Sequence, residues 1–207
     1  MKAHSDTLVR LRLMLLGWGS VGLVYFSTGA MTGPTTVLAE SAIDRMVPYD
    51  PSAIWLYLSF FILIPYTYLS ASIERARWLA CSMPIAALIS AIVFVVFPTT
   101  LQYPPARFDG ASGYLLALLL ANDSPRNCLP SLHAALTLLC VWALLDARRV
   151  LRTALFVLLG AGICFSVVQL RRHLSIDLAA GWLVGLASGL ICTFAAPLRR
   201  LQKELAP

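Results

Sequence analysis

The sequence predicts an all-α protein, a six-helix transmembrane bundle that forms a single domain over residues 1–207. Hydrophobic residues make up 59% of the chain and charged residues only 13%, whereas roughly 25% of a soluble domain is charged. The apolar residues also come in long runs, and a helix needs about 20 of them to cross a membrane core of roughly 30 Å. The predicted spans cover residues 11–31, 53–72, 78–98, 131–147, 152–170 and 177–196.

Two connections between the predicted spans are long, at residues 32–52 and 99–130. The second connection is rich in Pro, Asp, Asn and Arg, and it contains an apolar stretch from Tyr114 to Ala121. This stretch is too short to span a bilayer. We therefore predict a short helix there that lies at the membrane interface or re-enters the membrane.

The basic residues predict the orientation of the bundle. Of the 16 Lys and Arg residues, 11 lie at one set of helix ends and 5 at the other. Cytoplasmic loops carry the excess of Lys and Arg, so both termini are predicted to be cytoplasmic and residues 32–52, 99–130 and 171–176 to face outward. The net charge of +6 therefore reflects topology, and we expect no nucleic-acid partner.

The cysteines predict neither a zinc site nor a disulfide framework, because no two of them form a C-x-x-C pair. Buried free thiols acting as small apolar side chains are the expected state. The five residues are Cys81, Cys128, Cys140, Cys164 and Cys192.

Two histidines at predicted helix ends on the outward side are the candidate catalytic residues. His133 opens the fourth span, and His173 precedes the sixth, four residues before Asp177. Ionisable residues at membrane depth are costly and usually functional. A spacing of four places His173 and Asp177 on one helix face, where the carboxylate can orient the imidazole and leave its other nitrogen as a nucleophile. Helix capping by Ser175 or Asp177 fits the same position.

Arginines in the outward loops are candidate phosphate ligands. Guanidinium groups bind phosphate oxygens through two parallel hydrogen bonds, and phosphoryl transfer requires that the charge on those oxygens be neutralised. Snorkelling to lipid headgroups is the alternative role. The candidates are Arg107, Arg126, Arg171 and Arg172.

Two motifs resemble those of the type 2 phosphatidic acid phosphatase (PAP2) superfamily. The segment Pro130-Ser131-Leu132-His133 resembles its P-S-x-H motif, and His173 with Asp177 resembles the H-x-x-x-D end of its last motif. The resemblance covers about residues 98–190, the expected catalytic core.

The resemblance implies a role for each motif residue. His173 would attack phosphorus and become a phosphohistidine, and Asp177 would orient it. His133 would act as general acid and then general base, and Ser131 would donate a hydrogen bond to a phosphate oxygen. No cofactor and no metal would be required.

The chain also departs from the family motifs. Val167 stands where the last motif has arginine, Thr100 stands where the first motif has lysine, and two prolines precede Arg107 where one should follow it. We therefore expect an altered phosphate cage in which Arg126, Arg171 or Arg172 substitutes. This variant pattern resembles the branch of inositol phosphorylceramide synthases and, more distantly, sphingomyelin synthases, and the segment at residues 46–51 resembles that branch more loosely.

The sequence thus predicts a multi-pass protein of the plasma or inner membrane that acts as a lipid phosphatase or phosphotransferase, with its site facing the periplasm, exterior or lumen. The substrate would be a lipid phosphate or pyrophosphate ester, or a phospho-headgroup moved between lipids. One alternative is a transporter with the histidines as a proton relay, although none of the six runs holds a central ionisable residue. Another is a metal-dependent hydrolase with His133, His173 and Asp177 as ligands. The sequence does not predict an oligomeric state.

Overall fold

The computed structural model describes the backbone of residues 2–104 and 110–204, and the side chains of residues 6–104 and 110–195. The described part of the chain is predominantly helical. Its α-helices are α1 (Lys2–Met14), α2 (Ser20–Gly29), α3 (Ala42–Met46), α4 (Ile54–Ser70), α5 (Ile73–Val96), α6 (Gly110–Asn122), α7 (Leu132–Leu144), α8 (Val150–Gln169) and α9 (Ser175–Glu204). A π-helical turn (Leu15–Gly19) joins α1 to α2, and a 3-10 turn (Pro51–Ala53) leads into α4.

Five helical segments within the described residues are long and apolar enough to cross a membrane. They match five of the six predicted spans, but those predicted to begin at residues 11 and 78 begin earlier. The reason is that polar first turns are helical too: α5 begins after its N-cap Ser72 and includes Glu74. The segments are Asp6–Gly29, Pro51–Ser70, Ile73–Val96, Val150–Gln169 and Ser175–Ala195.

The fourth predicted span, residues 131–147, is the short helix α7. It has 13 residues and is therefore about 20 Å long, less than the roughly 20 residues that a spanning helix needs. The chain turns after Leu144, and Asp146 accepts hydrogen bonds in that turn. The count of six spans and the cytoplasmic placement of both termini therefore stay predictions.

The predicted short helix in the 99–130 connection is present as α6. It covers the apolar stretch from Tyr114 to Ala121 and contains 13 residues. Leu116 is buried against the bundle and Tyr114 is exposed. The structure thus confirms a short apolar helix at this position, while its depth in a membrane stays a prediction.

Helix α7 lies at the centre of the bundle. It packs against α4, α5, α8 and α9, and residues on several of its faces, including Ala134, Leu136, Leu139 and Cys140, are fully or almost fully buried. A helix that is apolar all round is one that packs on every side. His133 lies in the first turn of α7, so the position of this helix in the bundle determines where His133 lies.

Three glycines at intervals of four residues allow α9 to approach α7 closely. A Cβ atom at Gly181 would lie 2.2 Å from the carbonyl oxygen of Ser131, and one at Gly185 would lie 2.8 Å from that of Ala135. Gly189 faces two tryptophan rings in the same way. Small residues at this spacing let helix backbones come together in membrane proteins, and here they bring the start of α9 against the start of α7.

The two long connections meet beside the start of α9. Strand β1 (Thr36–Val37) pairs in parallel with β2 (Thr99–Thr100), which joins the two segments. Asp44 completes a capping box with Ser41 at the start of α3, and its other oxygen accepts the Ser175 N–H at 2.7 Å. The loops are therefore tied to the turn that carries His173.

The expectation that all five cysteines are free is wrong for one pair. A disulfide joins Cys81 of α5 to Cys192 of α9, with Cα atoms 6.2 Å apart. The pairing follows from the packing of α5 on α9, and a sequence separation of 111 residues carries no local signal of it. Cys128, Cys140 and Cys164 are free and buried, as expected.

Candidate active site

The two candidate histidines face each other. His133 Nδ1 lies 3.4 Å from His173 Nε2, and the ring centroids are 5.5 Å apart in an edge-on arrangement. The His173 residue is only 6% exposed. Two residues 40 positions apart in the chain are therefore brought into contact.

Backbone hydrogen bonds hold each histidine in place. Ser131 is the N-cap of α7, where its Oγ accepts the Ala134 N–H at 3.3 Å, and its own N–H donates to the Asp177 carbonyl at 2.9 Å. Before α9, the N–H groups of Arg172 and His173 both donate to the Val167 carbonyl. The turn ends α8 and presents His173 beside the first turn of α7.

Asp177 is the partner of His173, as the spacing predicts. Its Oδ2 atom lies 3.5 Å from His173 Nδ1 and also accepts the Leu174 N–H at 2.9 Å. The carboxylate is fully buried, and it faces His173 Nδ1 at a distance and geometry that do not make a hydrogen bond. Asp177 therefore both caps the start of α9 and faces the histidine.

Tyr57 of α4 is a site residue that the sequence analysis did not select. Its hydroxyl lies 2.9 Å from His133 Nε2, and the residue is 1% exposed. The rings of Tyr57 and Phe60 pack on the imidazole with centroids 5.0 and 4.7 Å away. Both nitrogens of His133 thus have partners, and the orientation of the ring is well defined.

The side chains of Tyr57, His133, His173 and Asp177 form a chain in which each group directs a proton towards the next when both histidines are neutral. A carboxylate can only accept, so the tautomer of His173 with its proton on Nδ1 is the one that suits the nearby Asp177. His173 Nε2 is then unprotonated and accepts from His133 Nδ1–H. His133 Nε2 in turn accepts from the Tyr57 hydroxyl. This arrangement leaves a lone pair on the His173 nitrogen that faces the second histidine.

Arg172 is the best-placed of the described arginine candidates, but it is paired. Its Nε and Nη2 atoms donate to Asp123 Oδ2 at 3.0 and 2.6 Å, and its guanidinium lies 4.6 Å from the centroid of the Tyr103 ring. Burial alone would raise the pKa of Asp123, but Arg172 and the Tyr25 hydroxyl hold this pKa below its ordinary value. The sequence analysis missed Asp123, although an acidic residue directly after an apolar helix could have drawn attention to it.

The other predicted phosphate ligands are placed differently. Arg171 bonds to the carbonyls of Asp44 and Val47 and pairs with Glu40 at 3.3 Å, so it is directed towards the 32–52 segment. Arg126 Nη1 donates to the Gly33 carbonyl at 2.6 Å, and its buried Nε has no hydrogen-bond partner. Arg107 lies outside the described residues. The role of Ser131 at a phosphate stays a prediction beside its role as a cap.

A cavity of about 490 Å³ opens beside His133. Apolar side chains from α1, the π-helical turn, α2 and α4 form most of its wall, and three of them, Leu15, Phe26 and Phe61, are exposed on the outside of the bundle. Its polar end includes Tyr57, Asp123 and His133. The cavity therefore connects His133 to the apolar surface of the bundle.

Five apolar helices of spanning length within residues 2–104 and 110–204 indicate an integral membrane protein, and its candidate site is a histidine pair with a carboxylate beside one ring. Among the residues that the structure describes, no three His, Cys, Asp or Glu side chains are grouped as metal ligands. A family model described as the PAP2 superfamily matches residues 52–191, about two thirds of the chain.

The chain belongs to the PAP2 superfamily, whose members are generally phosphatases or phosphotransferases. The matched range contains Tyr57, both histidines and Asp177. No curated protein and no solved structure matches the chain. The resemblance to inositol phosphorylceramide synthases stays a prediction.

Proposed function

We propose that this chain is a membrane lipid phosphatase or phosphotransferase that forms a covalent phosphohistidine at His173. The observation that carries the proposal is the contact between His173 Nε2 and His133 Nδ1 at 3.4 Å, with Asp177 behind the first ring and Tyr57 behind the second. This geometry supports a nucleophile next to a proton donor, which is what ester cleavage at phosphorus requires.

In the first step, His173 Nε2 attacks phosphorus, a P–N bond forms and the P–O ester bond breaks. His133 acts from its protonated form: its Nδ1–H gives its proton to the leaving oxygen, while its Nε2–H donates to the oxygen of Tyr57. The positive charge on phosphorylated His173 is balanced by the Asp177 carboxylate.

In the second step, neutral His133 takes a proton from water or from an alcohol through Nδ1. The resulting oxygen nucleophile attacks phosphorus and the P–N bond breaks, which restores neutral His173 and protonated His133. Hydrolysis and transfer share this step and differ only in the acceptor. His133 therefore acts as acid and then as base.

Tyr57→Phe is expected to lower kcat about 10- to 100-fold with little change in KM, because the ring still packs while the hydrogen bond that orients His133 is lost. Steady-state kinetics and a thermal unfolding curve of the same sample measure both effects. Tyr66→Phe is the matched control, since Tyr66 lies on the same helix with 42% exposure. Equal activity of Tyr57→Phe and wild type would remove Tyr57 from the mechanism.

The cavity beside His133 supports a lipid substrate. Its apolar walls fit a hydrocarbon chain, and His133 in its wall fits the phosphate that such a chain carries. We further propose a multi-pass, six-span protein with cytoplasmic termini and an outward-facing site, because 11 of the 16 basic residues lie at the opposite helix ends.

Transfer of a phospho-headgroup from a phosphodiester is the second candidate, and a charge balance favours it. Arg172 is neutralised by Asp123 and Arg171 by Glu40, whereas Arg126 donates to the Gly33 carbonyl and keeps its charge. Of the described candidate arginines, one therefore remains unbalanced to face a dianionic phosphate monoester. A phosphodiester carries a single negative charge and requires less neutralisation. Arg107, which lies outside the described residues, is not part of this balance.

A substrate panel tests the proposal and separates the two candidates. Detergent-purified protein is incubated with phosphatidic acid, a polyprenyl diphosphate, or phosphatidylinositol with a lipid alcohol as acceptor. Release of inorganic phosphate supports a phosphatase, and transfer of the headgroup without phosphate release supports a transferase. The His173→Ala variant is the negative control for background turnover. Activity that persists with a strong chelator present excludes the metal-dependent alternative. A folded protein that turns over none of these esters would contradict the proposed function.

A further inference from the structure

A second cavity lies at the opposite end of α7 from His133. It has a volume of about 480 Å³ and is bounded by the turn between α4 and α5 and the turn between α7 and α8. Ala143 and Leu144 at the end of α7 form part of its wall. A helix of 13 residues separates the two ends by about 20 Å, so this cavity is distinct from the histidine site.

Four arginines line this cavity, and one carboxylate accompanies them. The carboxylate is Asp146, which accepts the Arg148 backbone N–H at 2.9 Å and lies 3.9 Å from Arg149 in an exposed ion pair. Arg75 donates to the carbonyls of Ala143 and Leu145, which leaves its charge unbalanced. The arginines are Arg75, Arg148, Arg149 and Arg152.

The start of α8 adds to the positive potential. The helix begins at Val150, and its N-cap Arg149 makes no side-chain capping hydrogen bond. The free N–H groups and the helix dipole of an N-terminus favour an anion. Backbone and side chains at this cavity therefore both favour negative charge.

Exposed apolar side chains beside the arginines favour a lipid over a free anion. Val150 is 68% and Leu151 is 88% exposed directly after Arg149, and α8 is one of the helices of spanning length. The chains of a lipid can lie along such a surface while its phosphate enters the basic cavity. Arg12 and Arg77 lie at the same helix ends but do not line this cavity. The orientation of the helices in the membrane therefore does not by itself require that four arginines line one cavity.

We propose that this cavity binds the phosphate headgroup of an anionic membrane lipid, at a site separate from the catalytic histidines. The arginines contact the phosphate oxygens, and the acyl chains pack along the start of α8. Basic pockets on the cytoplasmic side of membrane helices bind anionic headgroups for the same electrostatic reason. The proposal does not depend on the reaction at His173.

The test compares lipid retention by two double variants of equal charge. Each protein is reconstituted in nanodiscs of phosphatidylcholine with and without phosphatidylglycerol, and bound lipid is counted by native mass spectrometry after mild detergent extraction. Wild type is expected to retain phosphatidylglycerol. Arg148→Gln with Arg152→Gln should bind it about 30-fold more weakly, whereas Arg12→Gln with Arg77→Gln should bind it as wild type does.

Three results would overturn the proposal. Equal loss in both double variants would mean that the arginines act only through total charge. Stabilisation of wild type by inorganic phosphate in pure phosphatidylcholine, equal to that by phosphatidylglycerol in a thermal unfolding assay, would mean that the ligand is a free anion. No retained phosphatidylglycerol on wild type would exclude the site even if a variant failed to fold.

Discussion

His173→Ala is expected to abolish phosphoenzyme formation and to lower turnover by at least about 10⁴-fold, because the variant lacks the atom that bonds to phosphorus. The measurement is acid-quenched trapping of radiolabelled phosphate on the protein, followed by assignment of the labelled residue. The structure favours this residue over His133 because His173 Nδ1 faces Asp177, which leaves Nε2 as the nucleophile. His173 is also almost fully buried, so the intermediate would be shielded from water.

His133→Ala is the matched control for this experiment. With an aryl phosphate, whose leaving group needs no proton, this variant should still become phosphorylated. It should then lose the phosphate slowly, because the base that activates the acceptor is absent. Accumulated label in His133→Ala and none in His173→Ala is therefore the expected pattern. Label retained by His173→Ala would place the nucleophile elsewhere and overturn the assigned roles.

Gly181→Ala is expected to lower both stability and activity, although it adds a single methyl group. The new Cβ would lie 2.2 Å from the Ser131 carbonyl oxygen, so α9 has to move away from α7. Overpacking of this kind costs about 1–3 kcal/mol of unfolding free energy, and sometimes more. A displacement of about 1 Å between Asp177 and His133 should also reduce turnover about 100-fold.

Gly162→Ala serves as the control for the added methyl group. A Cβ atom at Gly162 of α8 would meet the Leu56 side chain at 3.1 Å, and Leu56 is 37% exposed, so this side chain can move aside. Alanine is favoured over glycine in helices by about 1 kcal/mol. Thermal unfolding in detergent and the rate of phosphate release should therefore be nearly unchanged. If Gly181→Ala behaved as Gly162→Ala does, the close approach of α7 and α9 would not be what positions the site.

The candidate site residues His133, His173 and Asp177 were selected from local patterns. The spacing of His173 and Asp177 is a helix repeat, and Pro130 with Ser131 marks the start of the helix that carries His133. Membrane-spanning helices are likewise visible as apolar runs. Their ends are less visible, because a polar first turn such as that of α5 belongs to the helix without belonging to the run. The interval of four between Gly181, Gly185 and Gly189 is a packing signal that was present in the sequence and not used.

Partners that are distant in the chain were not predictable in the same way. Tyr57 meets His133 across 76 residues, and Asp123 meets Arg172 across 49, so neither pair leaves a pattern in a local window. The four candidate arginines looked equivalent in the sequence, yet Arg172 bonds to Asp123, which shares the cavity wall with His133, while Arg171 is bound to the 32–52 segment.

Hydrophobicity and the spacing of residues act within a few helical turns, so both can be read directly from the sequence. They specify the helices, the membrane setting and the motif that carries each histidine. Contacts between helices depend on which faces meet, and here the close approach of α7 and α9 sets that geometry. Folding therefore determined that the two imidazoles share one site, that Tyr57 orients His133 and that Asp123 neutralises Arg172.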